Sequence, residues 1–169
     1  MLDATVVEAV APRAWRRDSE WHGDQHWRCV AATGLALADD LRGADRELVC
    51  LFGLLHDSRR ENDHVDPEHG PRAAAFAREL HEAGVIVLGS DRIELLCHAI
   101  DLHTRGRVSE NTTVGACWDA DRLHLPRVGI EPDPTLFSTT LAHGPGRLRA
   151  SAALRAAPPS WAEILSRIR

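Results

Sequence analysis

The chain contains no lysine and no tyrosine. Without lysine there is no amine for a Schiff base and no P-loop ammonium. Without tyrosine there is no phenolic general acid. All twenty basic residues are therefore arginines, so any phosphate clamp must use guanidinium groups, imidazoles or backbone amides. Cysteine is sparse. Cys29, Cys50, Cys97 and Cys117 stand far apart with no Cys-x-x-Cys pair. That excludes a paired-thiol metal or redox motif, and the four read as small core residues in a reducing compartment. Long apolar runs are missing too. The strongest, Val49 to Leu55, is far too short to span a bilayer. Met1-Leu2-Asp3-Ala4 lacks the basic start and long apolar segment of a secretory leader. A cytoplasmic protein with no membrane partner is the expectation. A net charge of -5 leaves no electrostatic footprint for a nucleic acid polymer or an anionic membrane.

What is present suits one soluble domain. A chain of 169 residues reads as a single domain, 1–169, able to bury roughly two-thirds of its unfolded surface. Its apolar spacing is helical almost throughout and alternates too little for a sheet. Helices are expected over 25–40, 46–56, 72–83, 92–103, 112–125 and 147–156. A short final helix follows Pro158-Pro159-Ser160. Asp45, Ser90-Asp91 and Asn111 are N-cap signals. Val85-Ile86-Val87-Leu88 reads as a buried connector rather than a strand, and Gly144-Pro145-Gly146 as a turn. The fold class is all-α, a bundle of about six to eight helices.

Within that bundle the apolar segment Leu48 to Leu55 closes on His56-Asp57. An imidazole and a carboxylate there need compensation, because an unpaired buried charge costs several kcal/mol or more. A bound cation compensates both. His26, His69, His103 and Asp121 are the candidate partners. Residues i and i+2 of a helix project to nearly opposite sides. Of Asp119 and Asp121, Asp121 continues the stripe of Val114, Cys117 and Trp118, so Asp121 is the carboxylate expected to face the core.

The order His26, then His56-Asp57 about thirty residues on, then Asp121 about sixty further, resembles the HD-domain metal-dependent phosphohydrolase superfamily. Its signature is H…HD…D on an all-α scaffold. The resemblance spans roughly residues 21–128, leaving 129–169 as a C-terminal helical extension, and Ala120-Asp121 matches the family's last ligand pair. Asp66-Pro67-Glu68-His69-Gly70 and Ala99-Ile100-Asp101-Leu102-His103 are similar to the further metal-histidine elements of binuclear members. The resemblance implies that His26, His56, Asp57 and Asp121 hold one divalent ion. It implies that His69, His103 and a bridging Asp57 hold a second. Imidazoles with carboxylates suit Fe, Mn, Zn, Co or Ni. No Gly-Tyr-Pro follows His103, as the cyclic-di-GMP branch requires, and Ser58-Arg59-Arg60-Glu61 lacks the Glu-Asp pair of alarmone hydrolases.

Other residues are placed around this set. Asp57 and His103 are expected to take part in catalysis, and Arg59 and Arg72 to touch an anionic substrate. Arg60 is the alternative to Arg59. His22, at i-4 from His26, reads as a substrate contact or a support for a ligand. His98 reads as a core or supporting histidine oriented by Asp101. Arg122 is expected to form a surface ion pair with Asp119, and Trp27 and Trp118 to pack beneath the site. His64, His81 and His143 read as surface residues. The resemblance implies hydrolysis of a small phosphate ester, nucleotides included, by a metal-activated water. A di-iron oxygenase cleaving a C–C or C–P bond and a non-catalytic metal-binding module are the alternatives. A homodimer is compatible with all three.

Overall fold

The computed structural model describes residues 2–144 and 146–168, so the central proline of the Gly144-Pro145-Gly146 turn lies outside the described residues. Among those residues are eight α-helices and no β-strand. They are α1 (Ala4–Val10), α2 (Asp24–Ala38), α3 (Arg46–Leu55), α4 (His69–Glu82), α5 (Ser90–Leu102), α6 (Thr112–Arg122), α7 (Arg147–Ala156) and α8 (Trp161–Ser166). This is the all-α bundle expected from the apolar spacing. No helix among the described residues is long and apolar enough to cross a membrane.

Local chemistry sets most of the boundaries. The Asp45 carboxylate accepts from Leu48 N at 3.1 Å and starts α3. Asn111 Oδ1 accepts from Thr113 N and Val114 N and starts α6. A capping box of Ser160 and Glu163 starts α8. Two boundaries differ from expectation. Helix α4 begins at His69 rather than Arg72, because Pro71 falls in its first turn, where a missing amide hydrogen costs nothing. Helix α6 ends at Arg122 rather than near Leu125. Pro126 lies just beyond, and Leu125–Val128 tightens into a 3-10 turn. Helix α1, which no strong sequence signal marked, is capped by the Asp3 carboxylate. Residues 85–88 form a connector with Ile86 and Leu88 buried and Val87 exposed.

Two helix pairs organise the bundle, α2 with α3 and α4 with α5, and α6 packs against α2, α3 and α5. Trp27, Leu35, Phe52, Leu55, Leu80 and Ile100 fill the core between them. Helices α7 and α8 cover α2 from the other side, where Cys29 Sγ donates to Leu154 O and Trp161 Nε1 to Asp24 Oδ1.

A glycine lets backbone meet backbone in each pair. A Cβ on Gly53 of α3 would lie 2.7 Å from Ala31 Cβ and 2.8 Å from its backbone on α2. A Cβ on Gly70 of α4 would lie 2.8 Å from Asp101 O and 3.0 Å from Ile100 O on α5. Both approaches are tighter than any other residue permits. Gly53→Ala is expected to cost about 2 kcal/mol, since overpacking outweighs the gain in helix propensity. Thermal denaturation should show Tm lowered by roughly 4–8 °C. An unchanged Tm contradicts the contact.

Candidate metal centre

Each helix pair delivers two imidazoles to the same place. His26 comes from the first turn of α2, and His56 caps the C-terminus of α3. His69 opens α4, and His103 caps the C-terminus of α5. Asp57 follows His56 and Asp121 lies in the last turn of α6. All six residues marked as candidate ligands therefore converge.

Asp57 lies at the centre, almost wholly buried. Its Oδ1 is 3.1 Å from His69 Nε2 and 3.8 Å from His103 Nε2. Its Oδ2 is 3.6 Å from both His26 Nε2 and His56 Nε2. Two groups able to hold a metal ion result, His26-His56-Asp57 and Asp57-His69-His103, with Asp57 common to both. Asp121 Oδ1 joins the first, 3.2 Å from His26 Nε2 and 3.7 Å from His56 Nε2.

The backbone fixes which ring nitrogen carries the proton. His56 Nδ1 lies 3.2 Å from both Phe52 O and Gly53 O. His103 Nδ1 lies 2.6 Å from Ile100 O, and His69 Nδ1 faces Asp66 O. A carbonyl only accepts, so each Nδ1 is the donor and, in the neutral ring, each Nε2 presents a bare lone pair. Each of those lone pairs faces another ring nitrogen. His69 Nε2 is 3.0 Å from His103 Nε2, and His56 Nε2 is 3.2 Å from His26 Nε2. Acceptors crowded against carboxylate oxygens, out of water, require a proton or a cation between them. Backbone carbonyls holding the far nitrogen of a ligating imidazole are the usual support of a metal histidine. Buried Asp121 Oδ1 and His26 Nδ1 complete no hydrogen bond among the described residues. The donor set fits a divalent transition metal.

The electrostatics agree. Burial alone would raise the Asp57 carboxyl, but the imidazoles of His56, His103, His22 and His69 outweigh it and hold the group well below the usual carboxylate range. Asp121 is likewise raised by burial and lowered further by His26, His56 and Arg127. Burial pushes His56 down to about 4, and burial with Arg127 pushes His26 well below its ordinary value. His103 is lowered by burial, yet Asp57 and Asp121 outweigh this and raise it. Two carboxylates held ionised beside His26 and His56, whose rings are pushed toward the neutral form, are what a cation needs.

A cavity of about 370 Å³ opens over this floor, lined by Asp57, His69, His103 and Asp121 among others. Arginines flank it, but not the two expected from the sequence. The Arg59 guanidinium stacks 3.6 Å above the Phe76 ring and donates to Arg13 O. Arg72 is drawn off by Asp66 and Arg59 O. Neither lines the cavity, so both are placed too far out to touch a substrate there. The cations that line it are Arg60, with Nη1 3.6 Å from Asp57 Oδ1, and Arg127, 3.9 Å from both Asp57 and Asp121. Arg127 is fixed by Trp21 O and His124 O. Nothing in the helical spacing marked it, because it lies in the 3-10 turn imposed by Pro126.

His22 also reaches the centre, with Nδ1 3.0 Å from Asp57 Oδ2, as its i-4 spacing from His26 suggested. Trp27 Nε1 donates to His22 O at 2.6 Å, and Trp118 Nε1 to Ala99 O at 2.8 Å, so both indoles pack beneath the ligands. His98 is exposed rather than a core residue. Asp119, not expected to face the core, is fully buried, whereas Asp121 is half-buried at the cavity floor. Its carboxylate accepts from Ser138 N and Thr139 N, both at 2.7 Å, and ties the following loop to α6. Arg122, expected at the surface, is buried against Asp119 and donates to Leu136 O and Arg107 O. His124, which sequence reasoning passed over despite its i+3 spacing from Asp121, is fully buried and 2.8 Å from Thr33 Oγ1.

No protein-family model, no curated protein and no solved structure matches this chain.

Burial, with Arg155 and Arg127 nearby, pushes His124 down to about 3. Its ordinary value is 6.5, so between those pH values the unfolded chain binds a proton that the folded chain does not. The stability it contributes is complete above about pH 6.5 and is lost as the pH falls. In metal-free protein, His124→Gln should flatten the fall of unfolding free energy between about pH 6 and 4.5 by about 1.4 kcal/mol per pH unit. Urea titrations at a series of pH values measure it, and an unchanged slope contradicts the buried neutral ring.

Proposed function

We propose that the chain is a metal-dependent phosphohydrolase of the HD-domain type, with two divalent ions sharing Asp57. The observation that carries the reading is the convergence of Nε2 lone pairs from His56, His69 and His103, each with its Nδ1 committed to a backbone carbonyl, on the two oxygens of one buried carboxylate. His26, His56, Asp57 and Asp121 hold one ion; His69, His103 and Asp57 hold the other. A pair of divalent ions supplies a water of lowered pKa and positive charge for the phosphoryl oxygens.

The chain's own residues supply the remainder. Arg60 and Arg127 bind the phosphate oxygens from two sides of the cavity and offset charge as the ester bond breaks. Asp57 keeps the two ligand groups in register. In the net reaction a water oxygen bonds to phosphorus, the ester P–O bond breaks, and the departing oxygen takes a proton to leave as an alcohol. His22 lines the cavity and is held by Asp57 Oδ2, so it is the group positioned to carry that proton.

Metal analysis should find about two ions per chain in wild type, about one in the His69→Ala/His103→Ala variant and near none in Asp57→Ala. Retention of metal by Asp57→Ala contradicts the shared-ligand arrangement. Arg127→Gln should keep the metal but lower kcat/KM for phosphate release on the order of 10²-fold. Phosphate release with Mn or Co under anaerobic conditions separates this reading from oxygenase chemistry; dependence on O₂ and iron contradicts it.

A further inference from the structure

Two of the chain segments that line the cavity each bring an arginine and aliphatic side chains to it. The segment between α3 and α4 turns Arg60 toward Asp57 and carries Val65 at the rim. The segment after α6 turns Arg127 toward Asp57 and Asp121 and carries Leu125, Val128 and Ile130. Val65 is 89% exposed and Ile130 52% exposed, yet both line this cavity. Aliphatic tips held in water beside a polar floor gain most from an apolar group laid across them. Among the described residues no Phe or Trp lines the cavity; its rings are the imidazoles of His22, His64, His69 and His103, and all but His64 are drawn toward Asp57, so aliphatic side chains outnumber the ring surface left for a nucleobase.

Resting on the phosphohydrolase reading, we infer that the substrate is a small phosphomonoester whose organic half is aliphatic rather than a nucleoside. Its phosphate lies between Arg60 and Arg127 over the Asp57 cluster. Its hydrocarbon part lies under Val65 and Ile130. Water adds to phosphorus, the P–O bond to the alkyl group breaks, and the alkoxide takes a proton to give an alcohol and inorganic phosphate. The cavity is near the small end of small-molecule sites, which run from about 300 Å³ upward, so a short chain fits and a polymer does not.

The test compares methyl, butyl and hexyl phosphate with adenosine and uridine monophosphates on the metal-loaded full chain. It is repeated with the Val65→Ser/Ile130→Ser variant. Both positions are exposed, so the variant should fold and keep its metal, which circular dichroism and metal analysis verify. In wild type kcat/KM should rise from methyl to hexyl phosphate and exceed that for either nucleotide. In the variant KM for hexyl phosphate should rise about tenfold with kcat little changed, while methyl phosphate stays within about twofold, the pattern of lost uniform binding. A preference for the nucleotides, or an unchanged KM for hexyl phosphate in the variant, overturns the inference and leaves the hydrolase reading standing. Failure to release phosphate from any of the five esters overturns the hydrolase reading itself, and this inference with it.

Discussion

A single buried carboxylate, Asp57, faces ring nitrogens on both of its oxygens, and the architecture is arranged around that contact. In water such a carboxylate is cheap. In a helical core it is tolerable only among partners that supply positive charge or hydrogen. The surrounding imidazoles cannot all do so, because three of them spend their Nδ1 hydrogens on backbone carbonyls. The cluster is thus short of positive charge by construction. Arg60 and Arg127 reach toward it from the cavity wall at 3.6–3.9 Å, and Arg60 Nη1 also lies 3.3 Å from His69 Nε2.

The helices serve this contact through two close approaches. Gly53 lets α3 lie against Ala31 of α2, and its carbonyl also faces His56 Nδ1. Gly70 lets α4 lie against the last turn of α5, where the Ile100 carbonyl faces His103 Nδ1. The same backbone that permits the packing therefore fixes the tautomer of the ligand. Packing and ligand geometry are coupled in one stretch of chain, so a change at either glycine reaches the centre without touching a ligand.

Much of this was legible in the residues. An apolar helix ending in His-Asp is a local conflict, and such conflicts mark functional positions. The histidines at 26, 69 and 103 and the aspartate at 121 could be matched to it by spacing and by resemblance. The arginines could not. Arg59 and Arg72 are near the ligands in sequence, but Phe76 and Asp66 claim their guanidinium groups. Arg127 reaches the centre because the chain after α6 folds back in a 3-10 turn around Pro126. That is a tertiary consequence with no periodic signal. Asp119 was misread for a related reason: it faces away from Asp121, yet the loop at residues 138–139 covers it and supplies its donors.

The most direct measurement is anomalous scattering from crystals of the protein loaded with manganese. The account predicts two peaks flanking the Asp57 carboxylate, roughly 3.5–4 Å apart, one against His26, His56 and Asp121 and the other against His69 and His103. A single peak, or peaks bound elsewhere on the surface, would contradict it.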